Sequence, residues 1–137
     1  MKYKKLDNGV YVARLYRGDN PISCIEEIAR NEKTGGAIFA IGAMQWAEIG
    51  YFKFDERRYI RKRFDEEREM LSLSGNISFM NGEPVVHAHV VLGAEDFSTI
   101  GGHLFAGAVS ATVEIIIIPW GEDDISRETD DMTEVAL

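Results

Sequence analysis

The three histidines of this 137-residue chain all lie in one stretch, VVHAHVVLGAEDFSTIGGH, which spans residues 85–103. His87 and His89 are separated by a single residue, and thirteen residues lie between His89 and His103. Neutral imidazoles are ligands for Zn²⁺, and also for Ni²⁺, Cu²⁺ and Fe²⁺. If the three rings meet in space, the chemistry that they indicate is metal binding.

The spacing of the first two histidines suits a shared metal ion if their segment is a strand. Side chains alternate between the faces of a strand, so His87 and His89 share one face while Ala88 and Val90 point to the other. Their Cα atoms would be about 6 to 7 Å apart. Two imidazoles at this separation can reach one ion with Zn–N bonds of about 2.0 to 2.1 Å.

The third histidine can join the first two if the chain turns back beside the strand. The segment GAEDFST (93–99) is long enough for that turn, and Gly101 and Gly102 would let the backbone of His103 approach closely. A three-histidine site leaves one coordination position open, as catalytic zinc sites do. The alternative is that these histidines are half-exposed surface residues, because the H-x-H pattern is short and common.

Two acidic residues lie inside apolar, strand-like segments: Glu69 in REMLSLSG and Glu114 in ATVEIIII. Burying a carboxylate is unfavourable unless it has a partner. Either residue could be a fourth metal ligand, a partner that orients a histidine, or a general base, and Glu69 is the candidate catalytic residue. The alternatives are an ion pair with Arg68 or Arg61, or simple exposure.

The pattern of apolar residues predicts one main helix and several strands. VYVARLY (10–16) alternates like a strand. Asn20 can cap a helix that has Pro21 in its first turn and that ends at Gly35–Gly36. Gly42 predicts a bend or bulge, and Asn81–Gly82 a tight turn. The further predicted strands are residues 37–43, 45–54, 57–64, 68–75, 76–80, 85–93 and 103–119, the last being one long strand or two.

These elements predict a single α+β domain over residues 1–120, with a mostly antiparallel sheet and one main helix. In EIIIIP, Ile115 and Ile117 face one way while Ile116 and Ile118 face the other. A strand that is apolar on both faces must be covered on both, by the helix, a second sheet or another subunit. Since little of the chain is helical, another subunit is a serious candidate.

The net charge of −8 is concentrated at the end of the chain. Residues 121–137 hold seven acidic residues and one arginine, and we predict that they form an acidic, poorly ordered tail. Such a tail repels a phosphate backbone, which argues against a free-standing DNA-binding protein. The one basic cluster, residues 57–63, is flanked by acidic residues and predicts a salt-bridged surface hairpin.

Three further features bound the class of protein. The single cysteine, Cys24, cannot form a disulfide within the chain, and its place among isoleucines predicts burial on the helix. The apolar runs are far shorter than the roughly 20 residues that span a bilayer. No apolar segment follows the basic residues of MKYKK, so we expect no secretion signal and a cytoplasmic location.

The segments LSLSGNIS (71–78), VVHAHVVLGAEDFSTIGGHLFAG (85–107) and ATVEIII (111–117) together resemble the PPC domain. This family occurs in plants and prokaryotes, and also beside AT-hook motifs in plant nuclear proteins. Its pattern is E-[IL]-L-S-L-S-G, then a histidine-bearing strand, then a loop that ends in G-G-H or G-G-x. Glu69–Gly75 and Gly101–His103 fit that pattern, and the similarity runs from about Tyr11 to Pro119.

The resemblance implies a stand-alone member of prokaryotic type, with a sandwich-like α+β fold that assembles as a homotrimer. Some such members carry a metal ion on histidines that match His87, His89 and His103. No settled catalytic activity belongs to the family. Plant members bind partner proteins through this domain and touch DNA through their AT-hooks. This chain has no R-G-R-P-type hook, so the DNA role does not carry over.

The sequence and the resemblance therefore favour a homotrimeric protein that binds zinc or another divalent transition metal. We expect it to serve as a ligand-binding or regulatory assembly module, and its ligand would be a small molecule. The alternative is a metal-dependent enzyme of the hydrolase or lyase type that uses the open coordination position, with Glu69 as the candidate base. A DNA-associated regulator is the third and weakest hypothesis. No membrane contact is expected.

Overall fold

Seven strands and one α-helix make up the part of the chain that the computed structural model describes, residues 1–121 and 125–130. The helix is α1 (Pro21–Glu32), and a single 3-10 turn covers Phe54–Glu56. The predicted α+β class, mostly antiparallel with one main helix, is confirmed. The strands are β1 (Lys2–Lys5), β2 (Tyr11–Leu15), β3 (Gly36–Lys53), β4 (Arg58–Phe64), β5 (Arg68–Met80), β6 (Glu83–Gly93) and β7 (Thr99–Pro119).

The sheet has the order β1-β2-β7-β6-β5-β3-β4, and every pairing between these strands is antiparallel. Because β3 pairs with β7 as well as with β5, the four strands β3, β5, β6 and β7 form a closed hydrogen-bonded circuit. The central strands β6 and β7 therefore have partners on both edges, which fixes their register along their length.

Helix α1 packs on β6 and β7 and begins as predicted. The side chain of Asn20 accepts a hydrogen bond from the backbone N–H of Ile22 at 3.0 Å, and Pro21 occupies the first turn. The predicted end at Gly35–Gly36 is too late. The helix ends at Glu32 because Lys33 takes the left-handed conformation (φ 49°) that closes the last turn. The buried face consists of Pro21, Cys24, Ile25, Ile28 and Ala29.

Two long strands run through positions where the sequence predicted breaks. The predicted strands 37–43 and 45–54 form the single strand β3, except that Phe54 begins the 3-10 turn. The predicted strands 68–75 and 76–80 form the single strand β5. Gly42 bends β3 without ending it: the register with β5 shifts there, φ is 154°, and a Cβ would collide with the carbonyl oxygen of Thr112. For residues 103–119 the sequence left one strand or two open, and the structure has the single strand β7 there. Strand β1 was not predicted.

The last strand shows where the core lies and what the sheet leaves open. Ile115 and Ile117 are fully buried in the core, whereas Ile116 and Ile118 remain 45% and 44% exposed. Among the described residues, this part of the strand is therefore fully buried on one face and half exposed on the other. The largest fully buried side chains are Tyr11, Leu15, Ile25, Ile28, Ile38, Met44, Met70, Leu73, Ile77, Leu92, Ile115 and Ile117.

Part of the acidic C-terminal segment lies along β5. The backbone N–H of Phe79 donates to the carbonyl of Ile125 at 2.9 Å, and the N–H of Arg127 donates to the carbonyl of Phe79 at 2.8 Å. Residues 122–124 and 131–137 of the predicted tail lie outside the described residues. The boundary at residue 120 and the poor order of the tail stay predictions. No helix in the described ranges is long and apolar enough to cross a membrane.

Candidate metal centre

Strands β6 and β7 bring the three histidines together. His89 pairs with His103 across β6 and β7, and Asn76 of β5 pairs with His87. Ala88 and Val90 are buried in the core, which leaves His87 and His89 on the opposite face, as the alternation predicted. The sequence therefore specifies the orientation of these two side chains through the burial of their apolar neighbours.

Each of His87, His89 and His103 has one ring nitrogen that lies within 4.8 Å of a ring nitrogen of the other two. The ring centroids are 5.2 Å apart for His87–His89, 5.1 Å for His87–His103 and 5.7 Å for His89–His103. One chain thus supplies three imidazoles to one point on the sheet. The convergence of all three rings, which the spacing alone left open, is present in the structure.

Close contact between β7 and β3 at Gly102 places His103. A Cβ on Gly102 would lie 2.6 Å from the carbonyl oxygen of Gly50, so only glycine allows the two backbones this approach. The next residue, His103, pairs with Gly50 in register. The close approach that the glycine pair predicted is therefore found at Gly102.

Two aromatic rings contact His103. The centroid of the His103 ring lies 4.5 Å from that of Phe105 and 5.1 Å from that of Tyr59. The Nδ1 atom of His103 is buried and has no hydrogen-bond partner among the described residues. Buried polar atoms almost always have a partner, so this orphaned nitrogen fits a set of side chains that bind an ion.

Burial lowers the pKa of His103 to about 4, and the neighbouring His87 and His89, then Arg61 and Arg127, act in the same direction. Burial is also the main cause that lowers the pKa of His87, followed by Arg127 and His89. Both imidazoles are therefore neutral at pH 7. A metal ion requires the neutral form, because a protonated ring nitrogen has no lone pair to donate.

Two arginines that the sequence did not connect with the histidines contact residues beside this centre. Arg61 belongs to the basic cluster on β4, and its guanidinium stacks on the ring of Phe105. Arg127 belongs to the C-terminal segment and donates a hydrogen bond to Asn76 Oδ1 at 2.7 Å. The pattern of aromatic and basic residues at alternate positions could have indicated Arg61. No local signal connects residue 127 with β5.

The acidic candidates are not brought to the histidines within one chain. Glu69 pairs with Gly93 at the far end of β6, is exposed, and lines a separate cavity of about 440 Å³. Glu114 is exposed opposite Arg14. The ion pairs of Arg68 and Arg61 are with Glu66 at 3.5 Å and with Glu48 at 3.8 Å. Simple exposure is therefore the reading that the structure favours for both candidates.

The loop acid Asp96 and the basic cluster both make local contacts at the surface. In the loop between β6 and β7, Asp96 accepts hydrogen bonds from the N–H and the hydroxyl of Ser98, at 2.9 and 2.6 Å. The basic cluster forms the edge strand β4, whose arginines pair with Glu48, Glu56 and Asp65. It is the salt-bridged surface element that its flanking acids predicted.

The Plants and Prokaryotes Conserved domain, abbreviated PCC, matches residues 4–121 of this chain. The sequence resemblance to this family is thereby confirmed. No curated protein matches the sequence of this chain.

Three solved structures show the same fold over nearly the whole chain. A metal-containing protein from Archaeoglobus fulgidus is 32% identical, with a TM-score of 0.86 over 99% of this chain and 95% of the other. A plant- and prokaryote-conserved (PPC) protein from Pyrococcus horikoshii is 29% identical, with a TM-score of 0.85 over 98% and 93% of the two chains. A protein from Bacteroides thetaiotaomicron, whose name calls it a candidate DNA-binding protein, is 26% identical, with a TM-score of 0.93 over 99% and 94%.

Proposed function

Because the chain belongs to the Plants and Prokaryotes Conserved domain family, we propose that it is a cytoplasmic, homotrimeric metal-binding protein that serves as a ligand-binding or regulatory assembly module. The observation that carries this proposal is the convergence of the ring nitrogens of His87, His89 and His103 within 4.8 Å. A relative that is 32% identical and is named for its metal content supports it.

The proposed metal is zinc, or another divalent transition metal. The ligand set consists of three neutral nitrogens, and such a set suits Zn²⁺ as well as Ni²⁺, Cu²⁺ and Fe²⁺. When bound, the ion would supply a Lewis acid with one coordination position for a further ligand. His89 is the most exposed of the three histidines, so a small molecule can approach the centre from its side.

The outer face of the sheet supports the proposed trimer. Phe39 pairs with Ile116, and these side chains are 49% and 45% exposed, while Ile41 and Ile118 beside them are 58% and 44% exposed. Phe39, Ile41 and Ile116 border an apolar groove of about 700 Å³ that residues of β1, β2, β3, β5 and β7 line. Apolar patches of this kind on a small protein mark interaction surfaces, and a neighbouring subunit would cover this one.

A metal-dependent enzyme of the hydrolase or lyase type is the alternative function. The coordination position that three histidines leave open favours it, because a water bound there becomes acidic enough to react. Such an enzyme also needs a base within hydrogen-bond reach of that water. Glu69, the candidate base, could meet this requirement only from a neighbouring subunit, given its place in the chain.

DNA binding is the weakest candidate. The name of the relative from Bacteroides thetaiotaomicron suggests it. The net charge of −8 argues against it, since non-specific DNA affinity depends on neutralising phosphates with lysine and arginine.

Metal analysis tests the proposal. Protein purified without chelator and without a nickel column should contain close to one equivalent of zinc or another transition metal per chain. His87→Ala and His103→Ala should each abolish the metal and keep the far-ultraviolet circular dichroism of the wild type. Ser74→Ala, which changes the residue opposite His89 on β5, is the matched control and should retain the metal. Metal-free wild-type protein that takes up no zinc on titration would rule the proposal out.

A further inference from the structure

Positively charged side chains lie on two sides of the histidine cluster. Arg61 stacks on the Phe105 ring that contacts His103, and Arg127 donates a hydrogen bond to Asn76, the residue that pairs with His87. Positive charges next to a cation-binding site weaken the binding of the cation. The placement of these two arginines therefore calls for a reason beyond metal binding.

Arg127 is held on the His87 side of the cluster by β5. Its guanidinium donates to Asn76 Oδ1 at 2.7 Å and also to the hydroxyl of the buried Ser78. Asn76 pairs with His87, so it shares a face of the sheet with that histidine. The backbone bond from Arg127 to Phe79 fixes the segment at the same place. Three contacts thus position one positive charge beside the candidate ligands.

Arg61 is held on the His103 side by an aromatic stack. The centre of its guanidinium lies 3.6 Å from the centroid of the Phe105 ring, and the Phe105 ring lies 4.5 Å from that of His103. Its carboxylate partner, Glu48, is 3.8 Å away at the surface, a geometry that contributes little energy. Stacking on Phe105 therefore contributes most to holding this guanidinium toward the cluster.

We infer that Arg61 and Arg127 bind an oxyanion, a carboxylate or a phosphate borne by a small molecule, that occupies the open coordination position of the metal ion. This inference rests on the proposed function and names the ligand class of the same centre. Three neutral imidazoles leave the full charge of the metal uncompensated, and the two guanidinium groups add to it. An anionic oxygen ligand offsets these charges, and guanidinium groups form strong charge-assisted hydrogen bonds with carboxylates and phosphates.

The test uses the full chain loaded with Co²⁺, whose visible absorption changes when a ligand enters its coordination sphere. Acetate, malonate and inorganic phosphate are titrated separately, at constant ionic strength and without chloride. We expect at least one of them to give a saturable spectral change, and the comparison of the three distinguishes a carboxylate from a phosphate ligand. Arg127→Gln and Arg61→Gln should each weaken that binding at least about tenfold, because each removes one charged partner.

Matched controls separate a specific pair from a general charge effect. Arg63→Gln removes a guanidinium from the same strand as Arg61, and this one also stacks on a ring, that of Trp46 at 3.8 Å. Arg30→Gln removes an exposed partner of Glu83. Both controls should leave anion binding within about twofold. Arg127→Lys keeps the charge and should retain most of the affinity for the anion. This variant is needed because Arg127→Gln could also weaken binding by detaching the C-terminal segment from β5.

The outcomes distinguish this inference from the proposed function. A chain that takes up no Co²⁺ or Zn²⁺ overturns both. A chain that binds the metal but shows no saturable response to any anion, or an equal response in Arg61→Gln, Arg127→Gln and the controls, overturns the inference alone. Equal affinity of acetate, malonate or phosphate for the metal-free chain, measured by calorimetry, also overturns it, because the anion would then not be a metal ligand.

Discussion

His103 differs from the other two histidines because of what surrounds it. Its ring contacts those of Tyr59 and Phe105, and its Nδ1 is buried without a hydrogen-bond partner among the described residues. Desolvation disfavours the charged imidazolium, so this ring stays neutral under conditions in which an ordinary histidine would be protonated. Protons then compete only weakly with a metal ion for the ring nitrogen, so a metal ion bound by this candidate ligand would be retained in mildly acidic solution.

This environment predicts a pH dependence for the metal-free protein. The pKa of His103 is about 4, below its ordinary value of 6.5. Between these two pH values the unfolded chain binds more protons than the folded one, so the free energy of unfolding should rise with pH across this window. Nuclear magnetic resonance of the ring nitrogens measures the pKa directly, and urea unfolding at several pH values measures the stability.

The matched variant for this measurement is Phe105→Ala. Removing the ring exposes His103 to water, so its pKa should move back toward 6.5. If His103 of the wild-type protein titrates at an ordinary pKa, its burial has no electrostatic effect and the argument for a proton-resistant ligand fails.

Among the secondary-structure elements, the long strand β3 depends on one glycine at which it bends. Gly42 has a φ of 154°, and the carbonyl oxygen of Thr112 on β7 occupies the space that a Cβ would take. Gly42→Ala should destabilise the fold by about 2 to 4 kcal/mol, from overpacking and from the unfavourable backbone conformation together. Urea denaturation followed by circular dichroism provides the value.

Gly82→Ala separates the two contributions at Gly42. Gly82 also has a positive φ, 81°, but no atom lies within 4 Å of its would-be Cβ. Gly82→Ala should therefore lower the free energy of unfolding by only about 1 kcal/mol, the contribution of the backbone conformation alone. Equal losses in the two variants would show that the contact with Thr112 does not matter.

The sequence predicted the elements whose cause is local and missed those whose cause is not. The alternation around His87 and His89 is local, because each apolar neighbour turns inward and sets the orientation of the next side chain. The continuity of β3 through Gly42 depends on β5 and β7, which lie far away in the sequence. Strand β1, KYKK, is too polar to predict alone, and it forms by pairing with β2.

The same distinction applies to the candidate centre. All three candidate metal ligands follow from residue type and spacing, since they lie on adjacent strands joined by a short loop. The contribution of Arg127 could not be predicted, because the C-terminal segment reads as solvated and acidic and its contact with β5 depends on Ser78 and Asn76. Long-range hydrogen bonds of this kind have no signature in either of the segments that they join.

For the whole molecule, the main prediction concerns assembly. Phe39→Glu and Ile116→Glu each place a charge in the apolar outer face, where a neighbouring subunit would have to bury it. We expect the wild type to have three times the mass of one chain by light scattering, and both variants to shift to the monomer. Ile60→Glu, at an exposed position on the edge strand β4, should leave the mass unchanged. A monomeric wild type would exclude the trimer.

Strand β7 contributes to the candidate centre, to the core and to the outer face within a single run of 21 residues. Its first part presents His103, its alternate residues Ile115 and Ile117 fill the interior, and Ile116 and Ile118 line the outside. A slip of one position reverses every side chain of a strand. Inserting or deleting one residue within β7 would therefore move buried side chains to the outer face and exposed side chains into the core. Evolution of this protein is thus confined here to exchanges that preserve length.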